Sequence, residues 1–104
     1  ILKSADDLIS ANLLEAEVYA AASREGIDIR DAKFFVQPVT LLTPDRSLLS
    51  ELTQVFSKGY CRGADAYHLA CALYLNPNAD DVFFVTADEK QRALAKSLGF
   101  RVAS

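Results

Sequence analysis

Residues 64 to 75, ADAYHLACALYL, are apolar at nearly every position between Gly63 and the Asn76-Pro77 stop. A helix that is apolar on almost every side must be surrounded by the rest of its domain. It is too short to cross a bilayer, which takes roughly 20 apolar residues. Whatever flanks it must therefore supply cover on several sides, and the flanking segments carry the periods of such elements.

Downstream, NPNADD reads as a loop, and VFFVTA (82–87) as a short strand apolar enough for a parallel sheet covered on both faces. DEKQRALAKSLG then reads as a helix with acid at its start and Gly99 at its end, and FRVAS as a further strand. Upstream, residues 8–10 form a short apolar piece leading to an alanine-rich helix from an Asn12 cap to Gly26, with Leu13, Leu14, Ala16, Val18, Ala20 and Ala21 predicting a wide buried face. IDIRDAKFF (27–35) carries no clean period and reads as a connector. VQPVTLL reads as a strand with Pro38 keeping part of it off a central ladder. TPDRSLLSELTQVF predicts a helix capped by Thr43 with Pro44 in its first turn, and Leu48, Leu49, Leu52, Val55 and Phe56 at helical spacing. Strands alternating with helices predict an α/β fold of three layers, α/β/α, around a short, mainly parallel sheet.

A chain of 104 residues has room for one such core, so a single domain is expected over 1–104. Its composition, 51% hydrophobic and 24% charged, is that of a globular domain. The formal net charge of −3 offers no general attraction to phosphate backbones, so nucleic-acid binding would need a local basic patch or bound cations. Cys61 and Cys71 form neither a closely spaced metal pair nor a disulfide framework and are expected as free thiols in a reducing cytoplasm. No signal pattern opens the chain, which begins at Ile1 and contains no methionine. The expectation is that further residues precede it.

Three carboxylates lie in apolar surroundings: Glu17, Asp65 and Asp88. Each needs a partner, a hydrogen-bond set or a metal if it is buried. Asp88 follows the apolar strand, in the crevice where open α/β sheets bind ligands, or it caps the next helix. Asp65 opens the apolar helix, as a ligand or as a complement to the helix dipole. Glu17 sits mid-helix, as a ligand or simply as a good helix former at the surface. Together they would suit a hard divalent cation such as Mg²⁺ or Mn²⁺ and phosphodiester hydrolysis. Spacing alone does not bring them together, since 48 residues separate Glu17 from Asp65 and 23 separate Asp65 from Asp88.

ANLLEAEVYAA, RGADAYHLACAL and VFFVTADEKQRALAKSLGFRV, in that order from about Leu8 to the end, resemble the PIN domain. This is the small metal-dependent nuclease fold of the VapC-type toxin ribonucleases of bacterial and archaeal toxin–antitoxin pairs. The resemblance implies that Glu17, Asp65 and Asp88 are metal-ligating and catalytic, with Thr86 as the polar support two residues before Asp88. It implies one or two Mg²⁺ or Mn²⁺ ions, RNA as substrate, water as the attacking group, a second copy and an antitoxin as protein partners, and a cytoplasmic location. PIN domains open with a strand carrying a further Asp, which has no counterpart in 1–104. Asp6 and Asp7 precede the second strand and do not fill that role, while Asp80 and Asp81 read as loop acids. The expectation is a domain incomplete at its N-terminus, with a sheet short of its central strand and a site short of one acid. The alternative is a catalytically inactive PIN-like module that binds a partner.

His68, three residues after Asp65, reads either as a general base or as part of the packed helix. Tyr60, Tyr67 and Tyr74 suit base stacking or core and dimer packing. Lys58, Arg62, Lys90 and Arg92 suit phosphate contacts or a solvated surface.

Overall fold

The computed structural model describes residues 1–4, 7–77 and 82–103. Asp6, Asp80 and Asp81 lie outside the described residues. In chain order the elements are β1 (Leu2–Ser4), β2 (Asp7–Ala11), α1 (Leu13–Arg24), α2 (Ile29–Val36), β3 (Val39–Leu42), α3 (Leu49–Lys58), α4 (Gly63–Leu75), β4 (Phe83–Val85), α5 (Glu89–Ser97) and β5 (Arg101–Ala103). Among the described residues this is an α/β fold with five helices and one sheet.

The five strands lie in the order β3-β2-β1-β4-β5. β2 pairs with β3 in parallel, Leu8 opposite Val39, and β4 with β5 in parallel, Phe83 opposite Arg101. β1 is antiparallel to both its neighbours, Leu2 lying opposite Ile9 on β2 and Phe84 on β4. The sheet is thus mixed, and its central place is filled. This corrects the expected empty centre: Leu2–Ser4 pairs antiparallel with both β2 and β4 and satisfies both inner edges, while β2 to β5 all run the same way. Their carboxyl ends share one edge of the sheet.

α4 is the centre foreseen from its composition: Ala66, Leu69, Ala70, Cys71, Ala72 and Leu73 are buried. They meet Val55 of α3, Phe84 of β4, and Leu94 and Ala95 of α5 in one cluster. Phe84 is fully enclosed and tilts against Phe100, ring centroids 6.0 Å apart. Truncating it to alanine would cost about 3–5 kcal/mol. β4 is not covered on both faces, however. Phe83 is exposed, shielded by the Arg101 guanidinium 4.7 Å from its ring centre.

Three boundaries depart from the sequence reading. Ile29–Val36 is a helix rather than a connector, started by the Asp28 side chain, which accepts the Arg30 amide hydrogen at 2.8 Å. α3 starts at Leu49, not after Thr43, and Ser47 Oγ accepts the Leu49 amide hydrogen. The intervening loop is tied down instead: Tyr74 donates to Asp45 Oδ1 at 2.6 Å, and Arg46 lies over the Tyr74 ring and pairs with Glu51. Asn12 precedes α1 without a side-chain cap, because its Oδ1 accepts from Tyr67 at 2.8 Å. The wide buried face expected of α1 is also corrected: Ala22 alone is buried, Ala16 and Ala20 are exposed, and Leu13, Leu14, Val18 and Ala21 are only partly covered. No helix among the described residues is long and apolar enough to cross a membrane.

Candidate functional site

β4 ends at Val85, and the Thr86 amide continues the ladder by donating to the Ala103 carbonyl at 3.0 Å. The chain then leaves the sheet edge through Thr86 and Ala87 to Asp88. The Thr86 hydroxyl oxygen accepts the Asp88 amide hydrogen at 3.1 Å, and Asp88 Oδ1 accepts the Gln91 amide hydrogen at 2.8 Å. Asp88 is therefore the N-cap of α5, which satisfies one of the free amides of its first turn. Capping engages Oδ1 alone; among the described residues Oδ2 takes no protein hydrogen bond.

Gln91, three residues on, completes the capping-box spacing but does not reach back to the Asp88 amide, which Thr86 already holds. Its Nε2 donates instead to the Asp65 main-chain carbonyl at 3.4 Å, tying the start of α5 to the start of α4. Asp65 and Asp88 consequently line one polar cavity of about 410 Å³ with Cys61, Arg62, Lys90 and Gln91. Neither acid has an ion-pair partner among the described residues. Burial pushes the Cys61 thiol up, and the charges of Asp65 and Asp88 push it further while Lys90 opposes them. Both carboxylates thus act on one buried sulfur from opposite elements.

Glu17 is handled differently. Its Oε1 lies 2.5 Å from Nε2 of His68, which donates to it. The His68 side chain is largely buried and Glu17 half exposed. His68 stands one turn beyond Asp65 on α4, but neither it nor Glu17 lines the acid cavity. Ser10 on β2 and His68 line a small void of about 10 Å³, where the buried Ser10 hydroxyl has no protein partner. Such a space suits a single water.

Of the four residues expected at the site, Asp65 and Asp88 line one cavity, Thr86 holds the Asp88 amide, and Glu17 is bonded to His68, neither of which is part of that lining. Asp65 and Asp88 fit a hard cation: two carboxylates facing one polar cavity, each with oxygen to spare. A third ligand is not in place. Among the described residues, no three His, Cys, Asp or Glu side chains are grouped to hold a metal ion. Gln91 and Cys61 were not singled out from the sequence. The capping-box spacing from Asp88 pointed to Gln91, whereas nothing in the pattern around Cys61 marked it as a cavity residue.

The chain matches no protein-family model, no curated protein and no solved structure.

Proposed function

We propose that this chain is a Mg²⁺- or Mn²⁺-dependent ribonuclease of the PIN type, with helices layered on both faces of the sheet, acting on cytoplasmic RNA as the toxin of a toxin–antitoxin pair. The observation that carries this reading is the shared cavity of Asp65 and Asp88, two acids delivered by different elements, without an ion-pair partner among the described residues, with Arg62 and Lys90 in the same wall. Asp65 and Asp88 hold the cation. A bound divalent ion would supply the charge that polarises a phosphodiester and favours ionisation of an attacking water. Thr86 fixes the turn that aims Asp88, and Gln91 keeps the two acids in register. Arg62 and Lys90 hold the phosphate, as a net-negative chain requires of a local basic wall. Glu17, the remaining acid of the resemblance, is bonded to His68 and is not a first ligand in this reading.

Cleavage of RNA oligonucleotides with Mg²⁺ or Mn²⁺ tests this reading. Metal-dependent cleavage lost in both Asp65→Asn and Asp88→Asn supports it. Cleavage that survives both substitutions overturns it.

A second reading, a non-catalytic partner-binding module, is favoured by one feature. α1 and α2 enclose an apolar cavity of about 330 Å³ lined by Val18, Ala21, Ala22, Ile27, Ala32 and Phe35. Phe35 is 73% exposed, with Phe34 beside it. Apolar surface of this kind marks protein interfaces, and an antitoxin or a second copy of the chain is its proposed occupant. The two readings share the fold and differ at Asp65 and Asp88.

A further inference from the structure

The three tyrosines near α4 have different surroundings. Tyr67 is bonded to Asn12 and packs against the core. Tyr74 is bonded to Asp45 under the Arg46 guanidinium and also packs against the core. Tyr60 does neither: it is 72% exposed, in the turn between α3 and α4, and among the described residues its hydroxyl takes no hydrogen bond. A ring of this size left in water is costly and invites a ligand face.

The position of that ring is defined by its neighbours. Gly59 lies close against α5, where a Cβ would stand 3.1 Å from Leu94 Cδ2, so the turn follows the surface of that helix. On the same helix, Lys90 holds its ammonium 5.2 Å from the Tyr60 ring centre. Lys90 also lines the acid cavity, as do Cys61 and Arg62, which follow Tyr60 directly in the chain. An exposed aromatic face thus stands at the rim of a cavity whose wall carries two cations and two acids. Alternating positive charge and ring face is the pattern that fits a nucleotide, whose phosphate and base need one of each.

We infer that Tyr60 is a stacking platform for an unpaired base of the nucleic-acid substrate, steadied on one side by Lys90 and set beside the Asp65–Asp88 cavity. The inference rests on the reading of this chain as an RNA-acting protein. Paired bases are already stacked on their neighbours, so the platform selects single-stranded over duplex substrate. A stack is indifferent to base identity, and Tyr60 therefore contributes affinity and strand selection but no sequence code. Lys90 has two tasks, one toward the phosphate and one toward the ring.

The chain contains no tryptophan, so Tyr60→Trp places a single tryptophan at the platform, excited selectively over the three remaining tyrosines at the red edge of the absorption band. Titrating this variant with an unstructured RNA oligonucleotide and with a blunt RNA duplex, without divalent ion and with Mg²⁺, reads the stack directly. The expected result is quenching by the single strand and none by the duplex. In parallel, Tyr60→Ala should weaken single-strand binding about tenfold and Tyr60→Phe should preserve it, the range expected for one base stacked on an aromatic side chain. Lys90→Gln should reduce the slope of log affinity against log salt by about 0.7, one phosphate contact on a single strand.

Unchanged single-strand affinity in Tyr60→Ala, in a chain that still binds and cleaves RNA, overturns the platform and leaves the proposed function intact. Tyr60-dependent binding without any metal-dependent cleavage supports the platform and overturns the nuclease reading. A wild-type chain that binds no RNA overturns both. So does loss of self-association in Tyr60→Ala with no RNA bound by either form, which would make the ring a protein contact.

Discussion

Asp65 and Asp88 face a cavity of about 410 Å³ with no ion-pair partner among the described residues, whereas Glu17 is already bonded to His68 one turn further along α4. All three acids stand on an otherwise apolar scaffold, so composition does not separate them. What separates them is whether the fold supplies an ionisable side-chain partner: Glu17 has the His68 imidazole, whereas Asp88 accepts only a main-chain amide and Asp65 has no ion-pair partner among the described residues. A carboxylate with its own imidazole gains little from a cation and must break a charge-assisted hydrogen bond to reach one. Two carboxylates lining one polar cavity, neither with an ion-pair partner among the described residues, are free to take a cation. The first arrangement completes itself, and the second asks for a ligand.

Charge removal without loss of shape separates the two arrangements. Asp65→Asn or Asp88→Asn should lower metal-dependent RNA cleavage by about 100-fold or more, since even an outer partner of a metal ligand can cost that much. Glu17→Gln should lower it far less, and initial rates at fixed metal give the ratio. Asn caps a helix about as well as Asp, so Asp88→Asn should melt within a few degrees of wild type. Asp88→Ala should lose about 1 kcal/mol, a drop in melting temperature of about 4–8 °C for a domain of this size. A thermal scan of the two variants therefore divides the residue's structural role from its chemical one.

Glu17→Gln should also destabilise the chain by about 1 kcal/mol, because its partner His68 is largely buried while Glu17 itself is half exposed. The smallest effect concerns the cavity's field. The raised Cys61 pKa, from burial first and then from Asp65, means less thiolate at a given pH. In a Cys71→Ala background, alkylation of Cys61 should need a higher pH than an ordinary thiol. Asp65→Asn removes one source of that shift, so its labelling curve should move to lower pH, while Glu17→Gln should leave it in place.

Much of this architecture was legible in the residues. ADAYHLACALYL demanded a central helix, and VFFVTA followed by DEKQRALAKSLG placed Asp88 at a sheet edge with a helix to cap. β1 was not legible: a strand of three residues has no period, and only the open edges of β2 and β4 make it one. α2 was missed because its apolar face, Ile29, Ala32, Phe35 and Val36, spans only two turns and is interrupted by Arg30, Asp31 and Lys33. Ala32 and Val36 are covered while Ile29, Phe34 and Phe35 are exposed, so burial along it is only partial, and Asp28 caps its start. For α3, Thr43 and Pro44 gave a sound start signal, overridden by the contacts of Asp45 and Arg46 with Tyr74 and Glu51. At the site, residue type picked out the acids, but their separation into a pair and a bonded single depends on tertiary neighbours that no spacing encodes. His68 lies 51 positions from Glu17, and Gln91 lies 26 from Asp65.

The claim that Asp65 and Asp88 form the ion-holding pair is tested most directly by Mn²⁺ titration, followed by calorimetry or by the resonance of the free ion. The variants to compare with wild type are Asp88→Asn, which keeps the cap, and Glu17→Gln. The account predicts saturable binding in wild type, a loss of affinity of about 10- to 100-fold in Asp88→Asn, and binding near wild type in Glu17→Gln. Equal affinity in Asp88→Asn and wild type, or a loss in Glu17→Gln as large as that in Asp88→Asn, would contradict it.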